Sequence, residues 1–332
     1  MKEQLITEIE QGMVAFLDNA QMERLHNVLT HALYDVEMTK APAQSAGQEE
    51  EKSNESVLES FLAAKKVEGC SEKSMKYYRS TIQNMLNDTS KAVKHMTTDD
   101  LRQYLAEYQQ NSKASKVTID NIRRILSSFF SWLEDENYIL KSPVRRIHKV
   151  KTGQTVKETY TDEELELMRD NCGSLRDLAI IDLLTSTGMR VGEMVGLNKE
   201  DIDFENRECV VLGKGEKERP VYFDARAKIH LQAYLDGRAD DNPALFVSLN
   251  KPCKRLEISG VEIRLRELGR QLNIAKVHPH KFRRTLATRA IDKGMPIEQV
   301  QQLLGHQKID TTLQYAMVNQ NNVKMSHRKY IG

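Results

Sequence analysis

The sequence contains no apolar run approaching the roughly 18 residues that a membrane helix requires, which excludes a membrane-spanning protein. Its first residues, MKEQLITEIEQ, carry acids where a secretory leader has a basic start and an apolar core, so a cytoplasmic chain is expected. Cysteine is scarce. Cys70, Cys172, Cys209 and Cys253 stand far apart with no CxxC pair, which argues against a disulfide framework or a zinc cage and predicts reduced, incidental thiols. There is no βαβ alternation and no glycine fingerprint for a nucleotide. Net charge is nearly absent as well: 49 Lys+Arg against 48 Asp+Glu leave +1, which taken alone argues against a nucleic-acid partner.

The distribution of that charge points the other way. Residues 1–60 hold 4 basic against 12 acidic side chains, a net of −8, so the remaining 272 residues carry +9. An acidic head on a basic body suits a polyanionic partner for the body. At 332 residues the chain is also long enough for at least two packed cores.

Residues 1–40 place Leu5, Ile9, Met13 and Phe16, then Met22, Leu25, Val28 and Leu33, at three- and four-residue spacing, predicting two amphipathic helices broken near Asp18 and Asn19. Residues 41–54 are small, polar and acidic, a flexible linker. Residues 55–140 read as a four-helix domain, with Thr97 to Asp100 forming a capping-box start and Ile122, Ile125, Leu126, Phe129, Phe130 and Leu133 on one face of the last helix. The lone Trp132 reads as packing. Residues 141–158 carry Lys141, Arg145, Arg146, His148, Lys149, Lys151 and Lys157 against Glu158, either a solvated tether or a basic strand that tracks a phosphate backbone.

Residues 159–332 form the last domain. Thr161 caps a first helix, LRDLAIIDLLTSTG is an apolar helix ended by Gly188, and a short helix carries Arg190 and Glu193. CVVL and RPVYF flank GKGEKE as a β-hairpin, and the remainder is helical, with Pro296 expected at the first position of IEQVQQLLG. The fold class is therefore mainly α with a small β-hairpin.

Four places in this domain offer groups suited to a phosphate. Arg190 can present a bidentate fork, and Lys214 sits at the hairpin tip. His280 and Arg283, three apart on a helix, pair an imidazole with a fixed cation. His306 follows a helix-ending glycine, and Tyr315, nine residues later, carries a phenol that can act as a covalent nucleophile. Taken singly, each has an ordinary structural explanation.

Taken in order, TGMRVGEMVGL, GKGEKERPV, HPHKFRRTLATRA and LLGHQKIDTTLQY resemble the tyrosine recombinase (phage integrase) family. The resemblance implies a helical SAM-like core-binding domain before the catalytic domain, double-stranded DNA as partner, and Arg190, Lys214, His280, Arg283, His306 and Tyr315 as the active site, with no cofactor or metal. It further implies that Tyr315 attacks a phosphodiester to give a 3′-phosphotyrosine, that Arg190, Arg283 and His306 hold the phosphate oxygens, that Lys214 protonates the leaving 5′-oxygen and that His280 takes the tyrosyl proton. Glu193 either orients Arg190 or faces solvent. Arg145, Arg146, Lys149, Lys151 and Arg284 are candidate DNA contacts. Arg284 stands where the family commonly has histidine, and it serves either packing or DNA binding.

The acidic N-terminal segment does not resemble a basic arm-DNA module. Its helices suggest oligomerisation or an accessory protein. The tail, residues 316–332, offers Val323, Met325, Tyr330 and Ile331 for docking on a neighbour in a DNA-bound tetramer, or else is unstructured. A site-specific recombinase (integrase) is the expectation, with integration or excision of a mobile element, chromosome-dimer resolution and DNA inversion all open; a type IB topoisomerase-like nicking-closing enzyme and a catalytically silent DNA-binding regulator are the alternatives.

Overall fold

The computed structural model describes residues 2–37, 53–151, 153, 158–213, 217–316 and 331. Residues 41–52 of the expected acidic linker, Lys157, Lys214 and the tail positions Val323, Met325 and Tyr330 lie outside the described residues. Two compact units emerge, Met1–Thr152 and Gly153–Gly332. No helix among the described residues is long and apolar enough to cross a membrane.

The first unit begins with α1 (Lys2–Met13) and α2 (Asn19–Ala32). The break between them falls where Asp18 and Gln21 form a reciprocal capping box, which satisfies amides that the new helix leaves without partners. Of their side chains only Ile6 is buried. The pair is fastened by polar contacts, Lys2 Nζ to the Tyr34 carbonyl at 3.0 Å and His26 Nδ1 to Glu10 at 2.7 Å.

Next come α3 (Asn54–Val67), α4 (Glu72–Thr89), α5 (Thr98–Ser112) and α6 (Lys116–Asp135). Each starts on a side-chain cap, from Ser53, Ser71, Thr97 and Ser115 in turn. Phe61, Phe129 and Phe130 are fully buried among Leu58, Ile82, Met85, Leu101 and Leu126, and removing each ring from water contributes about 1.5–3 kcal/mol. Trp132 rests on this core, edge-on to Phe61 and stacked on Tyr138.

The basic stretch after α6 is not a free tether at its start. Pro143–Arg146 forms a 3-10 turn whose Val144 is buried in the same core. The Ser142 amide donates to Glu134, and the Val150 amide to the buried Asp120 carboxylate at 3.1 Å. Residues 142–150 thus finish the first unit. Arg145 is paired with Glu134 at 2.8 Å, while Lys149 and Lys151 are exposed.

The second unit is organised around α8 (Leu175–Thr187), whose Ala179, Ile180, Ile181, Leu183 and Leu184 are buried on several sides. Such a helix must be central. It follows α7 (Asp162–Asp170) and precedes the one-and-a-half-turn α9 (Val191–Gly196). The expected hairpin is β2 (Glu208–Leu212) and β3 (Glu218–Tyr222), antiparallel with Cys209 opposite Val221 and Val211 opposite Arg219. A two-residue strand, β1 (Ile202–Asp203), adds to the free edge of β2 and makes a three-stranded sheet, more than the isolated hairpin expected.

Helix α10 (Ala225–Asp236), which no motif singled out, packs on α8. The unit closes with α11 (Ile258–Gln271), α12 (Pro279–Asp292), α13 (Ile297–Leu304) and α14 (Ile309–Ala316). Pro296 is the N-cap of α13 and not its first helical residue, and Arg190 likewise precedes α9 as its N-cap. All four cysteines are unpaired thiols.

Candidate active site

The site is built where the ends of α8, α12 and α13 meet the sheet. Helix α8 stops at Gly188, which takes a left-handed φ of +61°; a β-carbon there would lie 2.6 Å from Leu286 Cδ2. Glycine alone satisfies both demands. The reversed chain turns its Gly188 carbonyl to Arg283 Nη1 at 2.7 Å and delivers Arg190 two residues later.

Arg283, on α12, is 1% exposed. Its other terminal nitrogen donates to the Leu304 carbonyl at the end of α13, and its Nε makes no hydrogen bond among the described residues. Each terminal nitrogen bears two N–H groups, so one on each remains beyond these anchors. Burial first, then the Arg190 and Arg219 charges, push the guanidinium pKa down to about 10. It therefore stays cationic at neutral pH while held rigidly in a dry setting, the condition under which a donor stabilises developing charge most strongly.

Glu193 is buried and does not face solvent. It accepts from the Arg190 amide and from Arg190 Nη1, both at 2.7 Å, and from Arg219 Nη1 and Nη2, both at 2.8 Å. Burial alone would raise its pKa, but the hydrogen bonds from Arg219 and then from Arg190 overcome that and hold it at about 2. Of the two roles the sequence leaves open for Glu193, the carboxylate takes the first: it fixes the Arg190 guanidinium.

His306 follows Gly305, the left-handed cap of α13. Its Nδ1 is engaged by the Thr312 hydroxyl at 2.9 Å, which turns Nε2 to the opposite edge of the ring. Burial first, then the charges of Arg283, Arg190, His280 and Arg219, push its pKa down to about 4. At neutral pH it is an uncharged imidazole able to donate one hydrogen bond. Tyr315, on α14, is half-buried against Ala287, Val300 and Leu304, with its ring 5.9 Å from that of His306. His280 lies exposed on α12, one turn before Arg283.

Thus Arg190, His280, Arg283, His306 and Tyr315 are brought to one region, whereas Lys214 lies outside the described residues. Among the described residues Arg190 and Arg219 share the Glu193 carboxylate while Arg283 is held by backbone carbonyls, so the charge of these groups is positive on balance, which suits an approaching phosphodiester. Motif analysis missed Arg219 and Thr312. A signal existed for Arg219: period-two alternation on β3 puts it on the same inward face as Val221, opposite the buried Val211, and a cation at a core-facing position calls for a buried partner.

The remaining candidates fall elsewhere. Arg145, Arg146, Lys149 and Lys151 belong to the first unit. Arg284 Nη1 donates to the Glu158 carbonyl at 2.7 Å and so fastens the segment that leads into α7.

Comparisons with known proteins identify the family. Residues 156–322 match the profile described as the phage integrase family, and residues 57–140 match that of the phage integrase N-terminal SAM-like domain. The tyrosine recombinase XerC of Oceanobacillus iheyensis is 31% identical over 272 residues, covering 77% of this chain and 88% of its own. XerC of Herpetosiphon aurantiacus is 32% identical over 279 residues, covering 79% and 90%. In fold, the chain resembles XerH recombinase bound to a palindromic difH substrate, with a TM-score of 0.67 at 20% identity over 97% of this chain and 93% of that one. It likewise resembles the Tn1549 transposon integrase bound to transposon right-end DNA, with a TM-score of 0.68 at 20% identity over 83% and 99%. The family match over residues 156–322 and relatives at 31–32% identity along most of the chain place this protein in the phage integrase family, the tyrosine recombinases that cut and rejoin DNA at specific sites.

Proposed function

We propose that Tyr315 is the nucleophile and that Arg190, Lys214, His280, Arg283 and His306 complete the catalytic set on double-stranded DNA. The observation that carries this is the convergence of Arg190, Arg283, His306 and Tyr315 from sequence positions up to 125 residues apart, with Glu193 as the carboxylate among them in the described residues. Tyr315 Oη forms a bond to the scissile phosphorus as the bond to the 5′-oxygen breaks. His280 receives the tyrosyl proton and Lys214 supplies one to the departing oxygen. Arg190 and Arg283 hold the non-bridging oxygens, with a hydrogen bond from His306. Such fixed donors are each worth about 3–4 kcal/mol in a water-poor site. The phosphotyrosyl ester conserves the bond, so attack by a DNA 5′-hydroxyl reverses the step without ATP, and side-chain cations do the work that metal ions do elsewhere.

In this proposal residues 55–140 form the core-binding domain, residues 159–332 the catalytic domain, and Lys149 and Lys151 contact the DNA backbone. The enzyme works in the cytoplasm as a DNA-bound tetramer and serves a mobile element, with the tail 316–332 reaching a neighbour and the N-terminal helices taking an accessory partner.

The test is recovery of protein-linked DNA from cells expressing wild type and Tyr315→Phe, followed by sequencing of the DNA ends. Adducts at a few inverted-repeat-like sites, joined through the 3′-phosphate and absent from the variant, are expected. Binding sites without Tyr315-dependent adducts would overturn the catalytic assignment in favour of a DNA-binding regulator. Scattered adducts lacking a shared sequence would favour a topoisomerase-like enzyme.

A further inference from the structure

Arg219 has no role in the chemistry set out above, yet it touches three of the segments that carry it. From β3 its two terminal nitrogens grip both oxygens of Glu193 at 2.8 Å, and Glu193 in turn holds the backbone and guanidinium of Arg190. Its Nε donates to the Leu303 carbonyl at 3.2 Å, in the last turn of α13 before His306. Its aliphatic stem lies so close to Gly305 that a β-carbon there would sit 2.8 Å from Arg219 Cδ. The base of the Lys214 hairpin is also within reach: a β-carbon on Gly213 would lie 3.5 Å from Arg219 Nη1 and 3.6 Å from Glu193 Oε1. The Arg219 side chain is only 11% exposed, so these are desolvated, charge-assisted contacts.

We infer that Arg219 is a positioning residue that locks Arg190, His306 and the base of the Lys214 hairpin into one geometry, acting on the scissile phosphate through Glu193 and Arg190. This rests on the assignment of Arg190 and Tyr315 made above. A bidentate fork suits the task because it fixes the carboxylate plane as well as its position, which a lysine cannot do. With Arg219 removed, Glu193 keeps its buried charge and only one of its two guanidinium partners, so Arg190 loses its orientation without leaving the site.

The experiment uses full-length protein and synthetic duplexes carrying the crossover sequence recovered from the covalent adducts. One has the natural phosphate at the scissile position and the other an uncharged methylphosphonate, and covalent Tyr315–DNA adduct is measured at saturating protein. On the phosphate, Arg219→Gln is expected to slow adduct formation about 100-fold, with DNA affinity within about twofold of wild type. Arg219→Lys is expected to recover only part of the loss. On the methylphosphonate, where no anionic oxygen requires Arg190, the deficit of Arg219→Gln is expected to shrink to less than about fivefold.

An equal deficit on both substrates, accompanied by a lowered melting temperature, would overturn the inference in favour of a purely structural residue. So would full activity in Arg219→Gln, or full rescue by lysine. If Arg219→Gln does not fold, Glu193→Gln carries the test, because it breaks the same link in a near-isosteric side chain and must show the same substrate dependence. Failure of wild type itself to form a Tyr315-linked adduct would mark the collapse of the underlying site assignment, a result visible before any Arg219 variant is compared.

Discussion

The two units bury different things. In the first, Asp120 is the one charged side chain among its buried described residues, and the core is otherwise mostly apolar, built on Phe61, Phe129 and Phe130 with aliphatic and methionine side chains and Tyr104. In the second, Arg176, Asp182, Glu193, Lys281 and Arg283 are all buried. Burying a charge is costly unless it is paired and hydrogen-bonded. The second unit offsets that cost with a dense set of ion pairs and hydrogen bonds: Arg176 on Asp177, Arg169 on Asp182 with a hydrogen bond between His230 and Asp182, and Arg190 and Arg219 on Glu193. The difference is physical: the first unit is held by apolar packing, whereas the second keeps charged side chains buried and fixed by pairing.

The sharpest way to break this comparison is chemical. Tyr315→Phe removes one hydroxyl from a half-buried ring and is expected to abolish covalent adducts, a loss limited only by detection, while leaving the thermal unfolding curve unchanged. A matching loss of folding would show that the site and the core are not separable.

Next in size is a core substitution in the first unit. Phe129→Ala is expected to destabilise that unit by about 3–5 kcal/mol. Trp132 is the chain's single tryptophan and lies on that core, so its fluorescence reports the first unit selectively during urea unfolding. The tryptophan transition should move to lower urea while the remaining circular-dichroism transition stays in place; one merged shift would show that the units unfold together.

Acid separates the units in the other direction. His306 has a folded pKa of about 4 against an ordinary 6.5, so the unfolded chain takes up its proton first and stability falls as pH drops from 6.5 towards 4. Glu193, held at about 2 against 4.5, contributes stability that is present above 4.5 and lost as pH falls below it. The depressed carboxyls of the first unit begin to matter only below 4.5 for Glu59 and below 3.8 for Asp100 and Asp120. The second unit should therefore weaken first on acidification from pH 7 to 5, measured by urea midpoints of the two transitions. With acidification continued below pH 4.5, Glu193→Gln should flatten the further loss there.

Smaller still is Gly305→Ala. A left-handed φ of +63° and a β-carbon 2.8 Å from Arg219 Cδ predict about 1–2 kcal/mol of destabilisation, read from the shift in urea midpoint. The smallest effect is expected from Lys149→Ala and Lys151→Ala, which should leave folding untouched and each reduce the slope of log affinity against log salt by about 1 if they meet phosphates.

Local chemistry was legible where it is written locally. The helix starts at Asp18, Thr97 and Thr161 follow from oxygen-bearing side chains three residues before an Asp, Glu or Gln, the stop at Gly188 from the left-handed turn only glycine takes easily, and the hairpin from its β-like runs. The order of Arg190, His280, Arg283, His306 and Tyr315 along the chain was equally readable, because reactive side chains are few and their types are fixed by the chemistry. Helix α10 escaped because DARAKIHLQAYLDG has a weak apolar stripe and is decided by its packing on α8.

What only the tertiary structure decided are the properties that depend on who lies opposite. Glu193 became a buried clamp because Arg219, 26 residues away, comes to it. His306 became a neutral imidazole because partial burial and the charges of Arg283, Arg190, His280 and Arg219, brought from distant segments, push its pKa down. Residues 142–150 became part of the first core because Val144 and the partners of Asp120 are supplied across tens of residues. Sequence determines which groups the chain owns and how each short segment prefers to turn; burial and charge pairing belong to contacts between segments, and the free energies that set protonation and orientation exist only once those contacts form.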